Sequence, residues 1–443
     1  MMQKLTAQDY ALSFQHLLAM FGSTVLVPLI TGISPAVALF TAGLGTLVFH
    51  LCTKGIVPVF QGSSFAFIGA YLAILGAGEA FNASNIPLMQ GGVIAAGAVY
   101  LVLALLVKLV GVKVIHRLFP SVVTGPIIII IGLSLTGVAV TDAIGLAPGA
   151  PFTMTNLVNL AIAVFTFAII ATGMNWRSGI FKVLPLLIGI LAGYILCLIL
   201  SMPIFGGFKM DFSPIANASW LNIPYKNGFF SIPKFDMRAI LTIAPIALVT
   251  FMEHIGDITT NGAVVGKDFF KDPGLHRTLM GDGLATMLAG FFGGPANTTY
   301  SENTGVLATT RNYNPVLLRV AACFAIILGL IGKFGAFLQT IPGPVKGGVE
   351  IVLFGMIAAI GVRTIVESAL NMTSNRNLCI MAATLCCGLG LVINGGINLQ
   401  FGELTFNVSA LFVSTVVGVL LNLCLPQDAG AAKNDKDVAP AKN

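Results

Sequence analysis

The stretch YALSFQHLLAMFGSTVLVPLITGISPAVALFTAGLGTLVFHLCT, residues 10–53, contains no Asp, Glu, Lys or Arg. A helix needs about 20 apolar residues to cross ~30 Å of hydrocarbon, so this run has room for two spans. Residues 143–176, 183–208 and 377–402 are free of charge in the same way. Over the 443 residues, 56% are hydrophobic and 9% charged, with a mean hydropathy of +0.93. Ordinary soluble chains carry roughly 25% charged residues. So few charges cannot cover a water-facing surface, which excludes a soluble globular fold. Disordered, collagen-like and nucleic-acid-binding classes are excluded too, because the basic residues gather into no patch. The composition is that of a polytopic membrane protein.

Breaks at Gly, Pro and charged positions divide the chain into 14 expected spans. They fall near 12–31, 35–53, 57–76, 89–112, 118–140, 156–174, 180–201, 239–263, 277–294, 297–311, 314–334, 342–363, 377–395 and 406–425. All are expected to be helical, since lipid-exposed backbone must satisfy its own hydrogen bonds. With the N-terminus in the cytoplasm, 17 of the 23 Lys and Arg residues fall inside. Four of the other six lie in or beside the loop holding Lys209, Lys226, Lys234 and Arg238. That bias is the positive-inside pattern, and it places both termini in the cytoplasm. The net charge of +6 therefore reports topology rather than an anionic partner. The start MMQKLTAQDY has no cleavable signal pattern. The seven cysteines lack a Cys-x-x-Cys pair and read as packing residues. Residues 427–443 read as a short disordered tail.

The chain also resembles itself. Gln15-His16 in span 1 is matched by Glu253-His254 in span 8, and Pro120 with Gly125 in span 5 by Pro342 with Gly347 in span 12. Spans 3 and 10 are each interrupted by a polar run, Gly62-Ser63-Ser64-Phe65 and Asn297-Thr298-Thr299-Tyr300. These matches suggest two seven-span halves, and an odd number per half inverts one repeat relative to the other. Broken segments at corresponding places in the two halves point to a midplane binding site. Kinked helices whose Ser and Thr bond back to their own carbonyls are the plainer alternative.

Few ionisable residues lie within the spans. Glu253 and Asp257 sit four apart on span 8, sharing a helix face with ~6 Å between them along the axis. Glu302 follows the broken run of span 10. Carboxylates at membrane depth are costly and usually face a cavity or a partner. Two or three of them close together cannot all ionise, which is the chemistry of a proton-coupled site. His16 is expected to hydrogen-bond within the bundle. Asp282 and His276 are expected to be solvated or capping near the cytoplasmic loop, and Glu350 to serve helix packing or a dimer interface. No HExxH, P-loop, GxSxG or Cys/His cluster is present, so neither a metal site nor an enzyme is expected.

Five runs then become specific: QHLLAMFGSTVLVP (15–28), GSSFAFI (62–68), EHIGD (253–257), DPGLHR (272–277) and TTYSENTGV (298–306). They resemble the nucleobase/ascorbate transporter (nucleobase–cation symporter) family, nearest to its bacterial uracil permease branch. The likeness covers the chain to about residue 426. It implies a core domain of spans 1–4 and 8–11 (residues 1–117 and 238–337) and a gate domain of spans 5–7 and 12–14 (118–237 and 338–426). It further implies short β-strands in spans 3 and 10 and a homodimer formed through the gate in a bacterial inner membrane. The implied activity is proton-coupled uracil import by movement of core against gate, with protons as the coupling ion and no cofactor. Carried over by position, Glu253 and Glu302 would accept the ring N–H groups. The backbone N–H groups of Phe65 and Ser301 would donate to the ring oxygens, with Phe65 and Tyr300 near the base. Glu253, Asp257 and Glu302 would handle protons, with His16 and Asn303 in support.

Two positions depart from the uracil pattern. Uracil-type members have His at the place of Asp257 and Gly at that of Ser301. Purine-type members resemble this chain at Asp257 but carry Gln-Asn where it has Glu302-Asn303. A xanthine or dual uracil/xanthine permease is therefore the second expectation. A channel or anion exchanger of the same architecture is a more distant third.

Overall fold

The computed structural model describes residues 5–76, 81–111, 114, 117–146, 150–177, 179–202, 208–222, 231–401 and 404–426. The expected tail and the basic residues at 4, 113, 226, 433, 436 and 442 lie outside them.

The principal helices begin where local chemistry favours it. Helix α1 (Ala7–Thr31) starts at a capping box, in which the Thr6 side chain accepts from the Asp9 N–H and the Asp9 side chain from that of Thr6. Prolines open α2 (Pro35–Cys52), α8 (Pro185–Leu200) and α13 (Pro315–Leu330), at positions whose N–H has no intrahelical partner. Between them run α3 (Ile68–Leu75), α4 (Ile86–Val110), α5 (Ser121–Ser134), α6 (Thr136–Ile144), α7 (Met154–Met174), α9 (Met237–Ile243), α10 (Ala247–Val265), α11 (Leu275–Phe291) and α12 (Ser301–Thr310). The chain closes with α14 (Gly332–Gln339), α15 (Gly343–Glu367), α16 (Asn375–Ile393) and α17 (Ala410–Cys424).

Among the described residues, eight helical segments are long and apolar enough to cross a membrane, and four shorter apolar helices accompany them. Their outer faces carry Leu51, Leu109, Val366 and Ile393, each at least 70% exposed. Water would not tolerate such a surface, whereas lipid does. Helix α11 lies between α4 and α2, and α13 packs on α2 and α1. Around α15 gather α5, α6, α7 and α8, while α16 packs on α5 and α17.

Two short strands interrupt the helices, β1 (Gln61–Ser63) and β2 (Asn297–Thr299). Each follows a proline closely, Pro58 and Pro295. Proline donates no N–H and biases the residue before it toward extended backbone, so neither segment continues as helix. The strands pair antiparallel, with Gln61 opposite Thr299, Gly62 opposite Thr298 and Ser63 opposite Asn297.

The structure corrects the expected elements at three places. Span 5 is two helices meeting at Leu135, and the region of span 11 breaks at Ile331 into α13 and α14. An antiparallel hairpin, β3 (Ile397–Phe401) with β4 (Leu404–Val408), occupies residues expected to start span 14, so that helix begins at Ala410 instead of 406. The alternation Ile397, Leu399, Phe401 and Leu404, Phe406, Val408 is a two-residue period, which a helix cannot use. The seven cysteines are free, with Cys52 and Cys197 buried.

Candidate functional site

The β1–β2 pair is extended by one bond at each end. Ser64 N–H donates to Ala296 O (2.9 Å) and Tyr300 N–H to Phe60 O (3.0 Å). Immediately beyond, both strands turn into helix. Phe65 opens a 3-10 turn leading into α3, and Ser301 opens α12. The first N–H groups of a helix have no intrahelical acceptor and sit at the positive end of its dipole. Two such helix starts therefore meet at one short sheet.

Helix α10 crosses this junction with two carboxylates. Asp257 accepts hydrogen bonds on both oxygens, from Thr299 Oγ1 (2.8 Å) and from Ser301 Oγ (2.6 Å). Glu302, in the first turn of α12, accepts from Ser23 Oγ of α1 at 2.5 Å. Glu253 lies within Coulombic range of Asp257, Glu302 and Asp282. Glu253, Asp257, Glu302 and Ser301 thus stand together, on α10 and the β2–α12 junction.

The aromatic candidates divide. Phe65 is half-buried, and its ring meets Phe354 of α15 edge-on, with centroids 6.0 Å apart. Tyr300 is buried, and its hydroxyl donates to Ser63 O at 2.8 Å. Its ring lies against Gly62, where a Cβ would collide with it, so only glycine lets β1 and Tyr300 approach this closely. Tyr300 therefore braces β1 from behind. His16 and Asn303 are both buried, and Asn303 Nδ2 donates to His16 O at 2.9 Å, tying α1 to α12.

A buried network lies beneath the sheet. Asp282 accepts from Gln61 Nε2 (2.6 Å) on one oxygen, and its other oxygen is bonded to His254 Nδ1 (2.7 Å). His254 Nε2 reaches Thr278 Oγ1 at 2.9 Å. The expectation that Asp282 is solvated or capping is overturned, for it is wholly buried in α11. Lying one turn in from the cytoplasmic loop by sequence hid this. The signal was present nonetheless, as a single carboxylate amid Gly281, Gly283 and Ala285 with no basic neighbour on its helix face. Glu350 is buried within the chain against α6 rather than on an outer face, which favours packing over a dimer interface. Ser23, Gln61 and His254 were not singled out as site residues, and Thr299 was named only as part of the polar run. Hydroxyls and amides are too common in membrane helices to stand out before their partners are known.

The geometry offers carboxylate acceptors and backbone donors at a junction fixed from two sides. That combination suits a flat, uncharged ring presenting N–H donors and carbonyl acceptors. Buried groups left unpaired cost about 1–3 kcal/mol each, so a poorly matched ring is rejected.

A profile described as "Permease family" matches residues 7–395. The probable uracil permease of Pasteurella multocida (strain Pm70) is 40% identical over 421 residues, covering 95% of this chain and 94% of that protein. The uracil permease of Bacillus caldolyticus is 41% identical over 429 residues (96% and 94%). That of Escherichia coli (strain K12) is 38% identical over 416 (94% and 91%). Among solved structures, the transmembrane domain of the cyanobacterium bicarbonate transporter BicA has a TM-score of 0.62 at 15% identity, covering 94% of this chain and 97% of that one. Murine Solute Carrier 26 family member A9, an anion transporter in its inward-facing state, has 0.69 at 12% (95% and 69%). At these identities the two structures share the fold with this chain and carry nothing about cargo.

Proposed function

The chain belongs to the permease family, and from that premise we propose that it is a secondary active transporter importing uracil together with protons. The observation that carries this reading is the paired β1–β2 break, with Glu253 and Glu302 beside two helix N-termini. Uracil has two N–H donors and two carbonyl acceptors. Glu253 and Glu302 accept the ring N–H groups, and the N–H groups of Phe65 and Ser301 donate to the carbonyls. Phe65 covers the base, and Tyr300 holds β1 in place.

Glu253 takes a proton before or with the base, and Asp257 relays it. Fourteen spans form two inverted repeats. Residues 1–117 and 238–337 make the core, and residues 118–237 and 338–426 the gate. Transport is movement of one against the other, with the Phe65–Phe354 contact between them. The protein is a homodimer through the gate in a bacterial inner membrane, with both termini cytoplasmic. His16 and Asn303 keep α1 and α12 together at the site.

A second reading, a xanthine or dual permease, is favoured by one observation. Asp257 and its partner Ser301 stand where uracil-type members carry His and Gly. Radiolabelled uracil uptake in a permease-deficient bacterium decides between them, measured with and without a protonophore and with excess xanthine. Uptake that the protonophore abolishes and xanthine leaves intact is the expected result. Strong xanthine competition would transfer the assignment to the second reading, and uracil uptake by Glu302→Gln equal to the parent's would count against the first.

A further inference from the structure

A second acidic group lies away from the substrate site, in the packing around α15. Lys346 Nζ and Asp142 Oδ2 form an ion pair of 3.2 Å between α15 and the end of α6. One turn along α15 is Glu350, with no solvent exposure. Neither Glu350 oxygen meets a hydrogen-bond donor, and the group it faces is the Asp142 carboxyl, itself an acceptor when ionised.

Among the described residues, the helices packed on α15 bring no other cation. Helices α5 and α7, which also pack on α15, contain no ionisable side chain. Helix α8 brings only Tyr194, bonded to Thr340 at 2.9 Å, and Cys197. Around Glu350 the helices pack closely, while the Asp142 and Lys346 side chains at the rim stay 26% and 18% exposed. A Cβ on Gly347 would collide with the Ala143 backbone nitrogen, and one on Gly348 would lie 2.6 Å from Ala163 O. Lys346, one turn before Glu350, attracts both carboxyls and is ion-paired to Asp142, so a single cation faces two acids. A wholly buried Glu350 without a donor, facing a second carboxyl, is best satisfied by a proton between the two.

We propose that Glu350 and Asp142 share one proton beside Lys346, forming a proton-binding site distinct from the substrate site that is loaded and emptied during transport. Its link to the cargo is short. Phe354 stands one turn beyond Glu350 on the same face of α15 and meets Phe65 at the candidate substrate site. Losing the proton forces Glu350 and Asp142 apart, shifts α15 against α6, and changes the contact that covers the base. The link to cargo rests on the proposed function; the proton site itself does not.

Two measurements on the full-length protein test it. The first is Tm between pH 5.5 and 8.5, without substrate, for the parent and Glu350→Gln. A folded state that holds a proton the unfolded chain has released loses stability as pH rises. The Tm of the parent therefore falls relative to that of the variant as pH increases. Parallel curves would overturn the proton site. The second is uracil uptake into proteoliposomes, as the ratio of rates at pH 6 and pH 8. In Glu350→Gln this ratio falls at least threefold while the Kd for uracil stays within twofold of the parent's. An unchanged ratio would remove the site from the transport cycle. Should the parent take up no uracil, the cargo assignment fails while the Tm comparison still decides the proton site. If Glu350→Gln does not fold, Asp142→Asn is measured instead, with the same loss of pH slope expected.

Discussion

At Gln61–Phe65 the chain breaks its helix with no ionisable side chain, and what lies behind the break is fixed: Tyr300 on Ser63, Asp282 on Gln61, the Thr46 hydroxyl on the Gln61 N–H (2.9 Å). At Asn297–Glu302 the backbone does the same thing, strand then helix, but the side chains facing it are carboxylates held by hydroxyls. One break supplies backbone donors and an aromatic ring in a rigid frame. Its partner supplies charge. The ties also cross over, since His16 from the first half bonds Asn303, and His254 from the second half reaches Gln61 through Asp282. Similar geometry in two places thus carries two kinds of chemistry, and neither break is complete without the other.

The largest effect expected from this division is on stability. Asp282→Ala removes one member of a buried, hydrogen-bonded charge network and costs about 3–5 kcal/mol, read as a fall in Tm. If Tm hardly moves, the frame beneath β1 is not what holds it. Next comes Glu302→Gln, which leaves Tm nearly unchanged while weakening uracil binding by about 10–150-fold, from the ~1.5–3 kcal/mol of a charge-assisted hydrogen bond. Calorimetric titration against the purified variant measures it, and a Tm loss without a binding loss would erase the distinction between frame and chemistry. Tyr300→Phe deletes the hydroxyl that bonds Ser63 O and stands beside the Thr24 side chain. It lowers stability by about 1–3 kcal/mol because a buried carbonyl loses its partner, and the protonophore sensitivity of uptake stays as in the parent. Smallest is Ser23→Ala, where Glu302 keeps its bond to the base and loses a supporting hydroxyl, so the effect on binding is indirect. Binding changes two- to tenfold, from about 0.5–1.5 kcal/mol, and the pH dependence of uptake shifts with it.

Much of the fold could be read ahead of the coordinates because membrane helices announce themselves by length and by absence of charge. Residues 35–53 were expected as one span and form α2 at Pro35–Cys52, and 156–174 form α7 at Met154–Met174. The hairpin at residues 397–408 escaped, since averaging hydrophobicity over a window conceals alternation within it. In the site, Glu253, Asp257 and Glu302 were legible because a carboxylate at membrane depth is conspicuous. Their partners were not. Ser23 lies 279 positions from Glu302, and Gln61 lies 221 from Asp282, so no local pattern links them. Tyr300 shows the opposite limit, a residue whose type suggested contact with a ring but whose hydroxyl is committed to the backbone.

The pairing of Gln61–Ser63 with Asn297–Thr299 has a consequence for how the protein is made. Synthesis proceeds at about 5–20 residues per second. The first strand therefore waits many seconds before its complement leaves the ribosome. Through that interval its backbone donors and acceptors lack the partners that β2 supplies. A chain that ends before residue 297 lacks the strand that pairs with β1, and one that has passed it can close the sheet. The small sheet at the candidate site is also the point at which a half-built permease becomes distinguishable from a finished one.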